Sequence, residues 1–125
     1  MEPVDVHSLI AYAHVRDLPV TIDFYEQLGF RVKDEFTFKG TLVWAHLESG
    51  NAGLMIAQAS YPIDPHQQGI LFYLHCRDVA ALRDRLADAG ISAGPITDPH
   101  YMLAGEIRVA DPDGYVLLIG QPPAA

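Results

Sequence analysis

Apolar and polar residues alternate in two short runs, SLIAYAHV (8–15) and GILFYLHC (69–76). A strand has a period of two, so Ile10, Tyr12 and His14 share one side of the first run. Leu71, Tyr73 and His75 share one side of the second. Each run leads into an aspartate, Asp17 or Asp78, whose carboxylate can accept the free N–H groups of a first helical turn. The segments behind them, LPVTIDFYEQL (18–28) and VAALRDRLADA (79–89), are the expected helices. Val79, Leu82, Leu86 and Ala89 recur at helical spacing. Pro19 falls in a first turn, where a missing N–H costs little. Gly29 and Gly90 follow at positions that favour positive φ and stop the helices. Three strands are expected after each helix, at 30–38, 42–48 and 53–59, then at 91–97, 105–111 and 115–121. ESGN (48–51) and DPDG (111–114) read as turns.

The two halves are copies of one plan. A single offset pairs Tyr12 with Tyr73, His14 with His75, Arg16 with Arg77, Asp17 with Asp78, Asp23 with Asp84 and Gly29 with Gly90. A slightly longer offset lays LMIAQ (54–58) over LLIGQ (117–121). A repeat of this kind implies one duplicated supersecondary unit. Each unit reads as βαβββ, an α+β layer in which one helix covers one face of its sheet. The expected organisation is a single domain over 1–125. Its first unit spans about 7–59, its linker SYPIDPHQQG about 60–69, and its second unit about 70–121.

Composition narrows the partners. The 125 residues carry a net charge of -8, and half are apolar. That is enough material for a core and argues against disorder. An acidic balance excludes nucleic acid, whose phosphates need a basic surface, and anionic membranes. It suits a cationic or neutral small ligand. Cys76 is the only cysteine, so an internal disulfide is impossible. A reducing, cytoplasmic setting fits that usage. The N-terminus carries acids where a secretion signal would carry bases, and no run reaches the roughly 18–20 apolar residues of a membrane span. No Gly-rich phosphate loop and no Gly-x-Ser-x-Gly elbow is present. Cys76 follows His75, but adjacent strand residues point to opposite faces, so the two do not form a nucleophilic pair. Cys76 is expected to pack as a small hydrophobe.

The duplicated plan resembles the vicinal oxygen chelate superfamily, which includes glyoxalase I, extradiol dioxygenases, and fosfomycin- and bleomycin-resistance proteins. The stretches that carry the resemblance are HVRDLPVTIDFYEQLGF (14–30), WAHLESGNAGLMI (44–56) and EIRVADPDGYVLLI (106–119), with HCRD (75–78). They define the scaffold and not the chemistry. The resemblance implies two sheets curving into an incomplete barrel around a shared cavity. It also implies four metal-ligand positions, on the first and fourth strands of each unit. In this chain those positions hold Ile10, Met55, Leu71 and Leu118. Three are aliphatic, and a thioether is a poor ligand for a hard or borderline divalent ion. No metal and no other cofactor is therefore expected.

The remaining polar residues each have two readings. His14 and His75 either look into the cavity or hydrogen-bond at the core edge. The resemblance puts a substrate-contacting basic residue at His14. Trp44, Tyr12 and Tyr73 either stack on a flat or cationic ligand or fill the cup. Alternation puts Trp44, His46 and Glu48 on one face, and Glu106 and Arg108 on one face. Glu106 either meets a ligand ammonium or stays at a strand edge. His100, Tyr101 and Met102, in PHYMLAGE (99–106), form a candidate lid by the same resemblance. A site built from His14, His46, His75 and Glu106 is the one metal alternative. Arg16 and Arg77 point away from the cavity side and receive no role.

Two functions follow. The first is a binder without catalysis, of the bleomycin-resistance type, as in drug sequestration and antibiotic resistance. Its cavity would be lined by Ile10, Tyr12, His14, Trp44, His46, Met55, Leu71, Tyr73, His75, Glu106 and Leu118. The second is an atypical lyase, isomerase or dioxygenase-like enzyme that uses a non-standard metal site or the acid/base groups His14, His75 and Glu106. The resemblance also implies a homodimer, and open sheet edges give a physical reason.

Overall fold

Two aspartates start the two helices, as the pattern requires. Asp17 accepts the Val20 N–H at 3.2 Å and Asp78 the Ala81 N–H at 3.0 Å. Gly29 and Gly90 close the helices with φ of 94° and 78°. The computed structural model describes residues 4–6 and 8–123. The start of the expected first unit at residue 7, and residues 1–3 and 124–125 of the expected domain, lie outside them. The described part of the first half runs β1 (Ala11–Val15), α1 (Leu18–Glu26), β2 (Arg31–Phe38), β3 (Thr41–Ser49) and β4 (Ala52–Gln58). The second half runs β5 (Leu71–His75), α2 (Val79–Asp88), β6 (Glu106–Ala110) and β7 (Val116–Gly120).

The strands form two separate sheets and no closed barrel. The first has the order β1-β4-β3-β2 and the second β5-β7-β6. In each, the outer strand lies parallel to the last, β1 to β4 and β5 to β7. This is the duplicated plan, with one correction. The strand expected at 91–97 does not form. Only an isolated bridge between Thr97 and Glu106 and a bond from Gly94 N–H to Arg108 C=O remain of it. Pro95 has no N–H to give a ladder, and Gly94 beside it has no side chain to pack, so the segment cannot pair along its length.

Each sheet buries one face. Ala13, Val15, Ala45, Leu47, Leu54 and Ile56 of the first sheet lie in the core with Leu18, Ile22 and Tyr25 of α1. Ile107, Val109, Leu117 and Ile119 of the second join the same cluster, with Val79 and Leu86 of α2. Cys76 is half-buried against this core, and burial pushes its thiol pKa up. It behaves as the small hydrophobe expected.

Polar bonds tie the halves together. Asp113 is buried and accepts from both the backbone N–H and the Nε of Arg16, at 3.0 and 2.9 Å. A further guanidinium N–H of Arg16 donates to the Pro112 carbonyl. Tyr25 donates to Asp111 at 2.7 Å. The expectation that Arg16 has no role fails here: its guanidinium is committed to Asp113 and Pro112, and a period of two, which puts residues 14 and 16 in phase, gives no ground for turning it from the His14 side. Gly114 sits in the same turn at φ 83°, and a Cβ there would run into the Pro65 carbonyl. The linker therefore lies directly on the DPDG turn.

Candidate functional site: the outward sheet faces

The faces turned away from the helices carry the residues of interest. In the first sheet, Met55 is paired with Tyr12 on one side and His46 on the other. Trp44 pairs with Ala57 and with Phe36. Ile10 lies just before β1, and its Cγ2 comes within 3.7 Å of where a Gly53 Cβ would stand. His46 Nε2 comes within 3.3 Å of the same point. Ile10, Tyr12, His14, Trp44, His46 and Met55 thus share one face. The His14 ring tilts against Tyr12, with centroids 5.9 Å apart. Its Nδ1 lies 3.2 Å from the Tyr61 hydroxyl. Tyr61 comes from the linker and was missed by sequence reasoning, because strand periodicity says nothing about a loop residue.

The second sheet presents a more constructed arrangement. Leu118 is paired with Tyr73 on one side and Arg108 on the other, which sets Leu71, Tyr73, His75, Glu106 and Leu118 on one face. Glu106 is only 7% exposed. Tyr73 donates to its Oε2 at 2.6 Å and Tyr101 to its Oε1 at 3.2 Å. Loss of water around the Tyr73 hydroxyl, then the bond and charge of Glu106, push that phenol up to about 12. The Tyr101 phenol moves the same way, first through desolvation and then through Glu106. Both phenols therefore stay protonated donors. Gly120 makes the space for this cluster. A Cβ there would lie 2.6 Å from the Tyr73 hydroxyl and 2.8 Å from Met102 Cγ. A glycine inside a strand marks a close approach of this kind, and that was the available signal.

The segment with His100, Tyr101 and Met102 is fastened to this face. Met102 is buried over Gly120, Tyr101 reaches Glu106, and the His100 ring stands edge-on to Tyr101 at 5.4 Å. Neither outward face is roofed by the chain itself: Tyr12 is 52% and Tyr73 44% exposed. Between the halves run two adjoining crevices, of about 350 and 670 Å³. Of the eleven expected cavity residues, these crevices take only Leu71, Tyr73 and His75. The other eight lie outside them.

Among the described residues, no three His, Cys, Asp or Glu side chains gather where they could hold a metal ion. The donor chemistry of Ile10, Met55, Leu71 and Leu118 does not fit a hard divalent ion either. No described helix is long and apolar enough to cross a membrane.

A sequence profile of the Glyoxalase/Bleomycin resistance protein/Dioxygenase superfamily matches residues 9–119. The chain belongs to this superfamily. No curated protein is similar enough in sequence to count as a match. Among solved structures, a glyoxylase/bleomycin resistance protein/dioxygenase domain from Frankia sp. EAN1pec superposes with a TM-score of 0.76 at 16% identity, over 97% of this chain and 96% of that one. The bleomycin resistance determinant encoded on transposon Tn5 gives 0.71 at 22% identity, over 95% and 100%. The bleomycin-binding protein of Streptomyces verticillus, solved with copper(II)-bleomycin, gives 0.70 at 18%, over 97% and 100%. At these identities the likeness is one of fold, and the architecture seen here is the superfamily's βαβββ plan, with the second unit reduced to βαββ by the missing strand at 91–97.

Proposed function

We propose that this superfamily member is a small-molecule binder of the bleomycin-resistance kind, holding a cationic or aromatic ligand against its outward faces without a metal. The observation that carries this reading is the make-up of those faces. Tyr12, His14, Trp44 and Met55 offer aromatic and apolar surface with a few polar tips, which suits recognition of a small molecule. The buried Glu106 and the net charge of -8 suit a cationic group. The four apolar residues where relatives would hold a divalent ion support a mode without metal. The two antibiotic-related neighbours in fold support the ligand class.

Open faces need a cover, and a second copy of the chain would supply it. We include a homodimer in the proposal for that reason. The alternative, an atypical lyase, isomerase or dioxygenase-like enzyme, draws on His14, His75 and the Glu106–Tyr73 pair as acid/base groups.

Titration with metal-free bleomycin, followed by the fluorescence of Trp44, separates the two. Trp44 is the only tryptophan, so the signal reports this face alone. Saturable quenching is expected, with the drug recovered chemically unchanged. Turnover of the drug, or stoichiometric metal in the purified protein that is lost on His14→Ala, would replace the binder with the enzyme. Absence of any saturable response would remove bleomycin-like ligands from the proposal.

A further inference from the structure

We propose that the larger crevice between the halves is a second binding site, which takes a small carboxylate with an apolar body. The crevice encloses about 670 Å³, within the roughly 300–1,000 Å³ of small-molecule sites. It runs between the β3–β4 turn and β5. Its floor is apolar: Phe30 is buried, and Leu28 and Leu74 are partly buried against the core. Its polar residues are Ser49, Asn51, Tyr73, His75 and Arg77, of which the Tyr73 hydroxyl is already committed to Glu106.

The charge on this wall is one-sided. No aspartate or glutamate lines the crevice among the described residues, although the chain as a whole is acidic, at -8. Arg77 is exposed and makes no ion pair there; the two pairs formed by described residues are Arg16–Asp113 and Lys33–Glu48. Its neighbour Asp78 is already committed to the first turn of α2 through the Ala81 N–H. Arg16 holds the matching place in the first half, and its guanidinium is spent on Asp113 and Pro112. The duplication has thus left one of two equivalent arginines without an ion pair among the described residues, on the wall of a crevice with an apolar floor. A guanidinium offers a planar fork that fits a carboxylate through two parallel bonds. His75 and Asn51 can add single donors. An aromatic or branched body would then lie on Phe30, Leu28 and Leu74. The crevice shares Tyr73 and His75 with the outward face of the second sheet, but Arg77, Asn51 and the floor of Leu28, Phe30 and Leu74 have no part in the drug-binding reading, so Arg77 tells the two sites apart.

The test uses the whole chain, with phenylacetate as probe and phenylacetamide as its uncharged isostere. Phenylacetate should give saturable amide shifts confined to residues 28–30, 49–52 and 73–77. Phenylacetamide should bind at least about tenfold more weakly, as should phenylacetate to Arg77→Gln, because each change removes the charged fork contact. Arg77→Lys keeps the charge but not the fork, and should fall between. Asp78 remains in these variants, so the melting temperature should not move. Equal binding of acid and amide, full binding to Arg77→Gln, or no saturable shift with phenylacetate would each overturn the proposal. Shifts of the same amides with protein concentration alone would overturn it too, by assigning the crevice to a second copy of the chain. Bleomycin quenching of Trp44 should be untouched by Arg77→Gln, so the two sites fail independently.

Discussion

Tyr25 and Tyr73 each donate to a carboxylate, Asp111 at 2.7 Å and Glu106 at 2.6 Å, in unequal surroundings. Tyr25 is buried in the core, where burial first and the Asp111 charge second drive its phenol far above the ordinary range. Tyr25→Phe removes the one donor to Asp111 Oδ2 among the described residues while that carboxylate stays buried. The variant should lose about 1–3 kcal/mol in urea unfolding, the cost of an unsatisfied buried acceptor. Tyr73 is half open, and its phenol is raised from 10.0 to about 12. A raised folded value means that this contribution is whole below the unfolded value and is lost as pH climbs from about 10 to 12. Phenolate absorbance should show one tyrosine titrating near 12, and Glu106→Gln should bring it part-way back. The return is partial because desolvation, the larger cause, remains. A titration unmoved by Glu106→Gln would deny the bond. Arg16 shows what one sequence cannot reveal at this scale. Residue 16 is in phase with His14 by a period of two, so alternation gave no ground for setting it aside; its partner Asp113 stands 97 residues away, and no local period reports so distant a contact.

Local signals served well for whole elements wherever they acted within one turn or one strand. The repeated aspartates cap α1 and α2, the repeated glycines end them, and Pro19 sits in the first turn of α1. Asp17→Ala and Asp78→Ala should each cost about 1 kcal/mol. The two caps lie in different halves and share no partner, so the double variant should lose the sum of the single losses within about 0.3–0.5 kcal/mol. A clear departure from additivity in thermal unfolding would mean that the caps act through a common element. The segment 91–97 failed where the repeat argument outweighed local chemistry. Its counterpart β2 is a full strand, Arg31–Phe38, and duplication suggested another. Gly94 and Pro95 opposed it, and in the fold they prevailed. Within each sheet, the residues that a period of two groups together do share a face, as Tyr12, His46 and Met55 do in the first and Tyr73 and Leu118 in the second. How one sheet stands against the other depends on long-range contacts, which that period does not encode.

At the scale of the whole molecule, the halves are fixed to each other from behind. Arg16–Asp113 and Tyr25–Asp111 join them at the turn of the second half, and one core runs through both. The outward faces gain nothing from this union. Tyr12, Phe36 and Phe38 of the first sheet and Leu71 and Tyr73 of the second all remain exposed, and large exposed apolar side chains of this kind suit an interaction surface. Folding one chain therefore satisfies the core and leaves the faces in want of a partner. If a second copy supplies it, dimerisation and ligand binding draw on the same side chains and must fail together. Tyr12→Asp tests this, since a carboxylate on an apolar contact leaves an unpaired charge facing the second copy. Sedimentation velocity should show the wild type as a dimer and Tyr12→Asp as a monomer. The melting temperature should fall with the lost association, and bleomycin quenching of Trp44 should disappear. Arg77→Gln should remain a dimer and keep the quenching, because Arg77 lies at the crevice between the halves. A wild-type chain that sediments as a monomer yet binds bleomycin at one drug per chain would refute the dimer. It would also mean that one open face is a sufficient site.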